Sequence, residues 1–392
     1  MENWRRVVKI ATLFCGCGGA TLGTIAATNG TPIWAIEFDP QIAQLYRNNI
    51  SQNVIVDNLL NIDPRKLERP DILQISPPCQ SHSMANANRG ETENDRALAA
   101  KICEFIQVLN PQFIMIENVE GYRSSNSYQQ LINQLDQSNY HWDWQILNSA
   151  DFGVPQTRRR LIVRASKSPL PLIIPTHAKV PHNTLFNQQL PWVGWYEAVA
   201  DILHTLPQCE LANWQKQRML DRDVPAYALI ERSGARDMMQ IRNVDRPSFT
   251  IRAMCGKIRP NFAQANILIS GQQSADIRSA DEPSVTILSG NAVNRILCAS
   301  GGQGIPRCAQ DPAFTVMANS LNKSRIIDDA ICYRVTTPAL SRLQSFPDWF
   351  DFGSDAKIIV KAIGNSVPPR FAQAIMKSFI ARLGADLGQS IN

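Results

Sequence analysis

The chain has 392 residues, more than one hydrophobic core usually serves, so two domains are expected. At 44% hydrophobic and 19% charged it cannot be disordered throughout, and no run of 18 apolar residues offers a membrane-spanning helix. The net charge of +5 comes from 28 Arg against 11 Lys with no basic block or tail, so a nucleic-acid face would have to be assembled by folding, and a solvated mixed-charge surface fits the charge alone equally well.

The opening MENWRRVVKIATLFCG faintly imitates a signal peptide with a lipidated cysteine, but Lys9 interrupts a short apolar run, and no leader is expected. Nine cysteines without regular spacing point to a reducing compartment, so the expected location is cytoplasmic. The first strand, VVKIATLF, runs into the Gly-rich CGCGGATLG. Cys15-Gly-Cys17 has no second CxxC or His pair nearby, so no metal is expected. Glycines let a ligand approach the backbone closely, yet the loop lacks the G-x-G-x-x-G spacing of a dinucleotide site. A second strand, TPIWAIEFD, ends at Glu37, the helix PQIAQLYRNNI follows, and a third strand, NVIVDN, ends at Asp57. A Gly-rich loop followed by an acid after each of the next two strands suits an adenosine cofactor lacking a pyrophosphate; S-adenosylmethionine fits best.

The fourth strand, DILQIS, leads into ISPPCQSHS. Pro77 and Pro78 stiffen the turn and remove two donors, so Cys79 is displayed at a strand's carboxyl end, where a thiolate can act as a nucleophile. Residues 95–109 have apolar positions at helical spacing. The strand QFIMIENV then ends at Glu117, and a carboxylate closing a buried strand suits proton transfer. WDWQILNSA and RRLIVRAS are two further strands. Between them QTRRR places Gln156, Arg158 and Arg160 on one side of an extended segment, where two arginines could pin a carboxylate, a phosphate or a base oxygen. Taken singly, each of these motifs is equally well read as a surface turn or a solvated ion pair. The strand–helix alternation predicts an α/β fold, a doubly wound, mainly parallel sheet with function gathered at the carboxyl ends of its strands.

From Pro169 the texture turns Pro-, Asn- and Gln-rich, with one helix over 195–206. RPSFTIRAMCG, EPSVTILSGN and DPAFTVMANS then repeat a Pro-small-x-Thr core at Pro247, Pro283 and Pro312. Three turn–strand units predict a small, strand-rich second domain, and the repeat either builds a sheet or contacts a ligand. After residue 357 the chain becomes regular again, with GNSVPP as a tight turn before a last helix. The expected division is 1–177, 178–350 and a segment 351–392 that returns to the first domain.

The order of the motifs carries more than any one of them. Gly-rich loop, Glu37, Pro-Pro-Cys-Gln, Glu-Asn-Val, Gln-x-Arg-x-Arg and Gly-Asn-Ser-Val-Pro-Pro follow one another along nearly the whole chain. This series resembles the DNA (cytosine-5-)-methyltransferases of prokaryotic type, closely over 8–165 and 331–380. Residues 178–330 correspond only in character to the variable target-recognition region of that family. The resemblance implies a Rossmann-like S-adenosylmethionine-dependent methyltransferase sheet with a smaller strand-rich target-recognition domain. It assigns catalysis to Cys79, Glu117, Arg158 and Arg160. It assigns cofactor contacts to Phe14, Gly16, Gly18, Gly19, Glu37, Asp57, Pro77, Asn365 and Val367. Gln80, Ser81, His82 and Ser83, after the nucleophile, become candidates to grip DNA. Double-stranded DNA is the implied partner, with a separately acting restriction endonuclease where a restriction pair exists, and a monomer is expected.

Cytosine carbon 5 is too poor a nucleophile to take a methyl group directly. A thiolate added at carbon 6 makes carbon 5 enamine-like, and protonation at ring nitrogen 3 eases that addition. The base must leave the stack to be reached. Four positions depart from the family pattern: Thr12 where an acid or serine is common, Ile75 and Ser76 before the prolines, and His82 where Phe is common. Two rival readings keep the resemblance but change the outcome: a tRNA cytosine-5 methyltransferase, and a DNA-binding relative without catalysis. The long recognition segment argues against the first and the intact reacting groups against the second.

Overall fold

The structure is a computed structural model; it describes residues 7–78, 90–181, 188–209 and 336–386, and the backbone of six short strands between 229 and 334. Seven strands form the main sheet: β1 (Lys9–Leu13), β2 (Thr31–Glu37), β3 (Val54–Val56), β4 (Ile72–Ile75), β5 (Phe113–Asn118), β6 (His141–Asn148) and β7 (Arg159–Ser166). Their spatial order is β3-β2-β1-β4-β5-β7-β6. β1 to β5 pair in parallel, and β7 runs antiparallel to both of its neighbours. The expected mainly parallel sheet is therefore present, with one strand reversed.

The central strands are covered on both faces, which is why β4 and β5 are buried at every position instead of alternating. On one face α3 (Glu93–Leu109) and α4 (Asn126–Gln137) bury Ile102, Phe105, Ile106, Leu131 and Leu135 against Leu73, Ile75, Ile114 and Ile116. α3 starts with a reciprocal cap between Thr92 and Asp95. On the other face lie α1 (Gly19–Thr28) and the final helix, which we number α8 (Pro369–Asp386); its Phe371, Ile375, Met376 and Phe379 pack on Ile72, Phe113 and Met115. The two helices touch at Gly23, where a Cβ would lie 2.2 Å from the Pro369 carbonyl oxygen.

A third apolar cluster joins α2 (Pro40–Asn49) to later parts of the chain. Cys17, Ile42 and Leu45 share it with Val199 of α5 (Trp195–Val199), Leu340 and Leu343 of α6 (Thr337–Leu343), and Ile359, Val360 and Ile363 of α7 (Ala356–Asn365). Phe346, Phe350 and Phe352 fill its centre with ring centroids 4.6 to 5.1 Å apart. The helix expected over 195–206 is α5 continued by a 3-10 segment over Ala200–Thr205. The turn expected at GNSVPP is shorter than its motif: α7 runs through Asn365, and only Ser366–Pro368 connect it to α8. Two successive prolines disfavour helical backbone in the residues before them, so the helix stops there.

Between β7 and α5 the segment KSPLPLIIPT (167–176) runs as a strap without helix or strand. The Lys167 N–H donates to the Gln112 carbonyl at 3.1 Å, at the amino end of β5, and the Thr176 N–H donates to the Asp151 carbonyl at 3.0 Å, just past the carboxyl end of β6. Ile173 is buried in the α8 cluster while Leu172 and Ile174 are exposed. Farther on, the backbone of 208–209, 331–334, 325–328, 267–269 and 306–308 forms an antiparallel sheet in that order, and 229–232 pairs with 239–242. The three Pro-x-x-Thr copies lie outside the described residues.

Candidate active site

At the carboxyl edge of the sheet a cleft of about 840 Å³ opens, within the size range of small-molecule sites. Its walls include Phe14 and Gly16 from the β1–α1 loop, Glu37 and Asp57 from the ends of β2 and β3, Pro77 and Pro78 after β4, Glu117 at the end of β5, Arg158 and Arg160 at the start of β7, and Asn365 at the end of α7. The reversal of β7 matters here, because it brings the beginning of that strand to the edge where the parallel strands finish.

The β1–α1 loop bends sharply. Phe14 (φ 56) and Gly16 (φ 54) both sit in the left-handed region, which costs a residue with a side chain and is held here by the surrounding bonds. The Gly16 N–H donates to Glu37 Oε2 at 2.9 Å, and the Asp39 N–H donates to Oε1 at 3.0 Å, so the Glu37 carboxylate is fixed between two backbone groups. Asp57 Oδ1 accepts from the Asn58 N–H at 2.6 Å and Asn61 Nδ2 at 2.8 Å. Phe38 shows 71% of its surface on the same wall. An exposed aromatic face, two oriented carboxylates and a tightly bent backbone loop together fit an adenosine-bearing cofactor.

On the opposite wall Glu117 and Arg160 are both buried, and Arg160 Nε lies 3.0 Å from Glu117 Oε1. Arg160 Nη1 also donates to the Arg159 carbonyl at 2.7 Å, which pins the guanidinium that holds the carboxylate. Arg158 is buried, and its Nη1 donates to the Gly364 carbonyl at 3.0 Å. Asn118 Nδ2 donates to the Pro77 carbonyl at 3.1 Å, tying the end of β5 to the proline turn. Pro78, the residue before Cys79, lines the cleft. Cys79, Gln80, Ser81, His82 and Ser83 themselves lie outside the described residues.

Three assigned positions do not line the cleft. A Cβ at Gly18 (φ +100) would meet Ile50 Cγ1 at 2.6 Å, and one at Gly19 would meet Ser366 Oγ at 2.1 Å; Val367 is buried in the α8 cluster. Their place is where one part of the chain presses on another. The Cys15 and Cys17 thiols are buried in different clusters, Cys15 against Ala35 and Tyr46, Cys17 against Ile42 and Ile363. Burial raises both, Cys17 to about 12, so neither is a ready thiolate.

Sequence reasoning passed over Phe38, Asp39 and Lys361. An aromatic directly after the strand-end Glu37 was a usable signal for the first. Nothing local announces the others: Lys361 Nζ reaches Asp39 Oδ2 at 2.6 Å across the rim from 322 residues away. Burial works against the charge on Asp39, but the Lys361 ammonium and the N–H groups of Gln41 and Ile42 outweigh it and lower its pKa.

Residues 8–381 match the family model described as C-5 cytosine-specific DNA methylase. The chain is 26% identical over 381 residues to Type II methyltransferase M.NgoFVII of Neisseria gonorrhoeae, covering 95% of this chain and 86% of that one. To Type II methyltransferase M1.BsuMI of Bacillus subtilis it is 23% identical over 389 residues, 93% of this chain and 78% of that one. Among solved structures, a DNA modification methyltransferase encoded within an E. coli prophage superposes with a TM-score of 0.57 at 16% identity, over 96% of this chain and 99% of that one. The Entamoeba histolytica methyltransferase EhMeth does so with a TM-score of 0.54 at 18% identity, over the same shares. These superpositions establish the shared Rossmann-like methyltransferase fold. The match over nearly the whole chain places this protein in the C-5 cytosine-specific DNA methylases, enzymes that methylate cytosine in DNA with S-adenosylmethionine as methyl donor.

Proposed function

We propose that the protein methylates carbon 5 of a cytosine flipped out of a short, specific double-stranded DNA sequence, through a covalent adduct between Cys79 and carbon 6. The observation that carries this reading is the buried Glu117–Arg160 pair, which shares one cleft with the cofactor wall and with the proline turn leading to Cys79. S-adenosylmethionine, when bound, supplies a methyl group on a positively charged sulfur, ready for transfer to carbon.

Phe14, Phe38, Glu37 and Asp57 hold the adenosine end, with Gly16, Pro77 and Asn365 shaping the rest of that wall. Gly19 and Val367 act there indirectly, by letting the β1–α1 loop and the α7–α8 turn close on one another, and Gly18 by letting that loop pack against Ile50 just past α2. The Cys79 thiolate adds to carbon 6 while Glu117 hydrogen-bonds ring nitrogen 3 and delivers a proton to it. Arg160 keeps the Glu117 carboxyl aimed, and Arg158 and Arg160 offer donors to the base oxygen. After transfer a water molecule suffices to take the carbon 5 proton, and elimination frees Cys79. Extruding the base costs a few kcal/mol, roughly, which contacts from Gln80, Ser81, His82 and Ser83 would offset.

Residues 178–350 serve as the target-recognition part, with 1–177 and 351–392 as the catalytic part. The protein works as a monomer in the cytoplasm, where a cognate restriction endonuclease would act separately; among the described residues no helix is long and apolar enough to cross a membrane.

Tritiated methyl transfer to duplex DNA, to tRNA and by a Cys79→Ser variant tests the reading. Label on duplex DNA that vanishes in Cys79→Ser, with a stable adduct on 5-fluorocytosine duplex, is expected. Label on tRNA alone, or no trapped adduct, would overturn it.

A further inference from the structure

Three stretches far apart in sequence meet around one buried amide. Gln344 follows α6, has no exposed surface, and accepts at Oε1 from Gln156 Nε2 at 2.6 Å, while its own Nε2 donates to the Ser366 carbonyl at 2.7 Å. A carbonyl can only accept, so the Ser366 contact fixes which end of the Gln344 amide carries nitrogen, and the Gln156 amide must then donate to the other end. Gln156 is equally buried, stands two residues before Arg158, and its carbonyl accepts from Ser149 Oγ at 2.7 Å.

Asn365 is the centre of this arrangement. The carbonyl before it, on Gly364, is taken by Arg158, and the carbonyl after it, on Ser366, is taken by Gln344. On the other side the same turn rests on Gly19, where even a Cβ would come within 2.3 Å of the Val367 carbonyl oxygen. The cleft residue Asn365 is thus clamped between the segment that carries the arginines and the loop that carries Phe14 and Gly16.

We infer that Gln344 is a positioning residue: it sets Asn365 through the adjoining Ser366 carbonyl and, through Gln156, the entry of β7, so that the cofactor wall and the target-base wall keep one geometry. The assignment of the two walls rests on the function proposed above. The clamp itself does not.

The two halves of the clamp predict different losses. In Gln344→Leu the Ser366 carbonyl loses its buried donor, and a buried polar group left unpaired is unfavourable. Hydrogen exchange over residues 362–368 should quicken tenfold or more with 113–118 unchanged, and S-adenosylhomocysteine, measured by calorimetry, should bind at least tenfold more weakly. In Gln156→Leu the Gln344–Ser366 bond remains. That variant should bind S-adenosylhomocysteine within threefold of the unmodified protein, yet its single-turnover rate at saturating cofactor and DNA should fall tenfold or more. Should Gln344→Leu not fold, Gln344→Met, equal in length and without a donor, takes its place with the same readouts. Unchanged exchange over 362–368, or equal losses of binding and rate in both variants that track their melting temperatures, would overturn the inference. The exchange measurement needs no ligand, so an unmodified protein that bound no S-adenosylhomocysteine would count against the cofactor reading and leave the clamp to be decided by exchange.

Discussion

At the residue scale the proposed reacting set gathers at one edge of the sheet, with Glu117 near the end of β5 and Arg158 and Arg160 at the start of the reversed β7, and that edge is where such a sheet gathers function. Glu117, Arg158 and Arg160 lie together in the cleft, as does Pro77 at the start of the turn to Cys79. Gly18 and Gly19 illustrate what pattern alone does not resolve: a glycine next to a ligand loop and a glycine under a neighbouring turn look the same in sequence. Here Gly19 yields to Ser366. The pairing of Arg160 with Glu117 carries a sharp expectation. Glu117→Gln keeps the shape and a hydrogen-bonding group but removes the acid, so single-turnover methyl transfer should fall by about 10²- to 10⁴-fold, the usual worth of a positioned proton donor. Affinity for duplex DNA, measured by anisotropy, should change little. Equal rates for the two proteins would remove Glu117 from the chemistry.

At the element scale the alternation of strands and helices was legible, but the direction of β7 was not. Its run of buried residues reads the same in a parallel or an antiparallel setting, and only the short connection after β6 hints at a hairpin. The reversed strand is fastened by Arg164, a side chain with no exposed surface. Its Nε donates to Asp143 Oδ1 of β6 at 3.0 Å, its Nη1 donates to Ser378 Oγ of α8 at 2.9 Å, and its guanidinium sits 5.5 Å from the Phe379 ring. Removing one partner of a buried pair usually costs 3–5 kcal/mol, roughly, but the Asp143 side chain is 35% exposed and can be hydrated when left alone. Arg164→Met should therefore lower unfolding free energy by about 2–3 kcal/mol, read from the urea midpoint at constant slope. An unchanged midpoint would show that β6, β7 and α8 hold together without it.

At the scale of the whole molecule the cleft is made by both ends of the chain, since β1 and β2 supply one wall and α7 another. The sequence signalled this return through its regular last segment and the GNSVPP motif. It could not signal the Asp39–Lys361 bridge across the rim, because a long-range ion pair leaves no local pattern. That bridge has a pH signature. Asp39 has a lower pKa folded than its ordinary value of 3.8, so its contribution to stability is present above that value and is lost as pH falls through the lower folded one. Urea midpoints measured from pH 5 down to pH 3 should drop more steeply for the unmodified protein than for Asp39→Asn. Parallel curves would mean that the bridge does not join the two ends in any energetic sense.

The proline-rich strap has a consequence for how the protein can vary. β7 descends eight residues away from the cleft, about 26 Å at the usual rise, and the ten residues 167–176 must climb the same height to reach Asp151. An extended, proline-stiffened chain of that length spans only about 31 Å, so there is little slack. The strap behaves as a ruler of fixed length, and deleting even two residues would pull its ends off their anchors. Insertions and deletions should therefore be tolerated only beyond His177, and if residues 178–350 carry out the recognition role proposed above, a foreign segment should be joined there and not at the first proline.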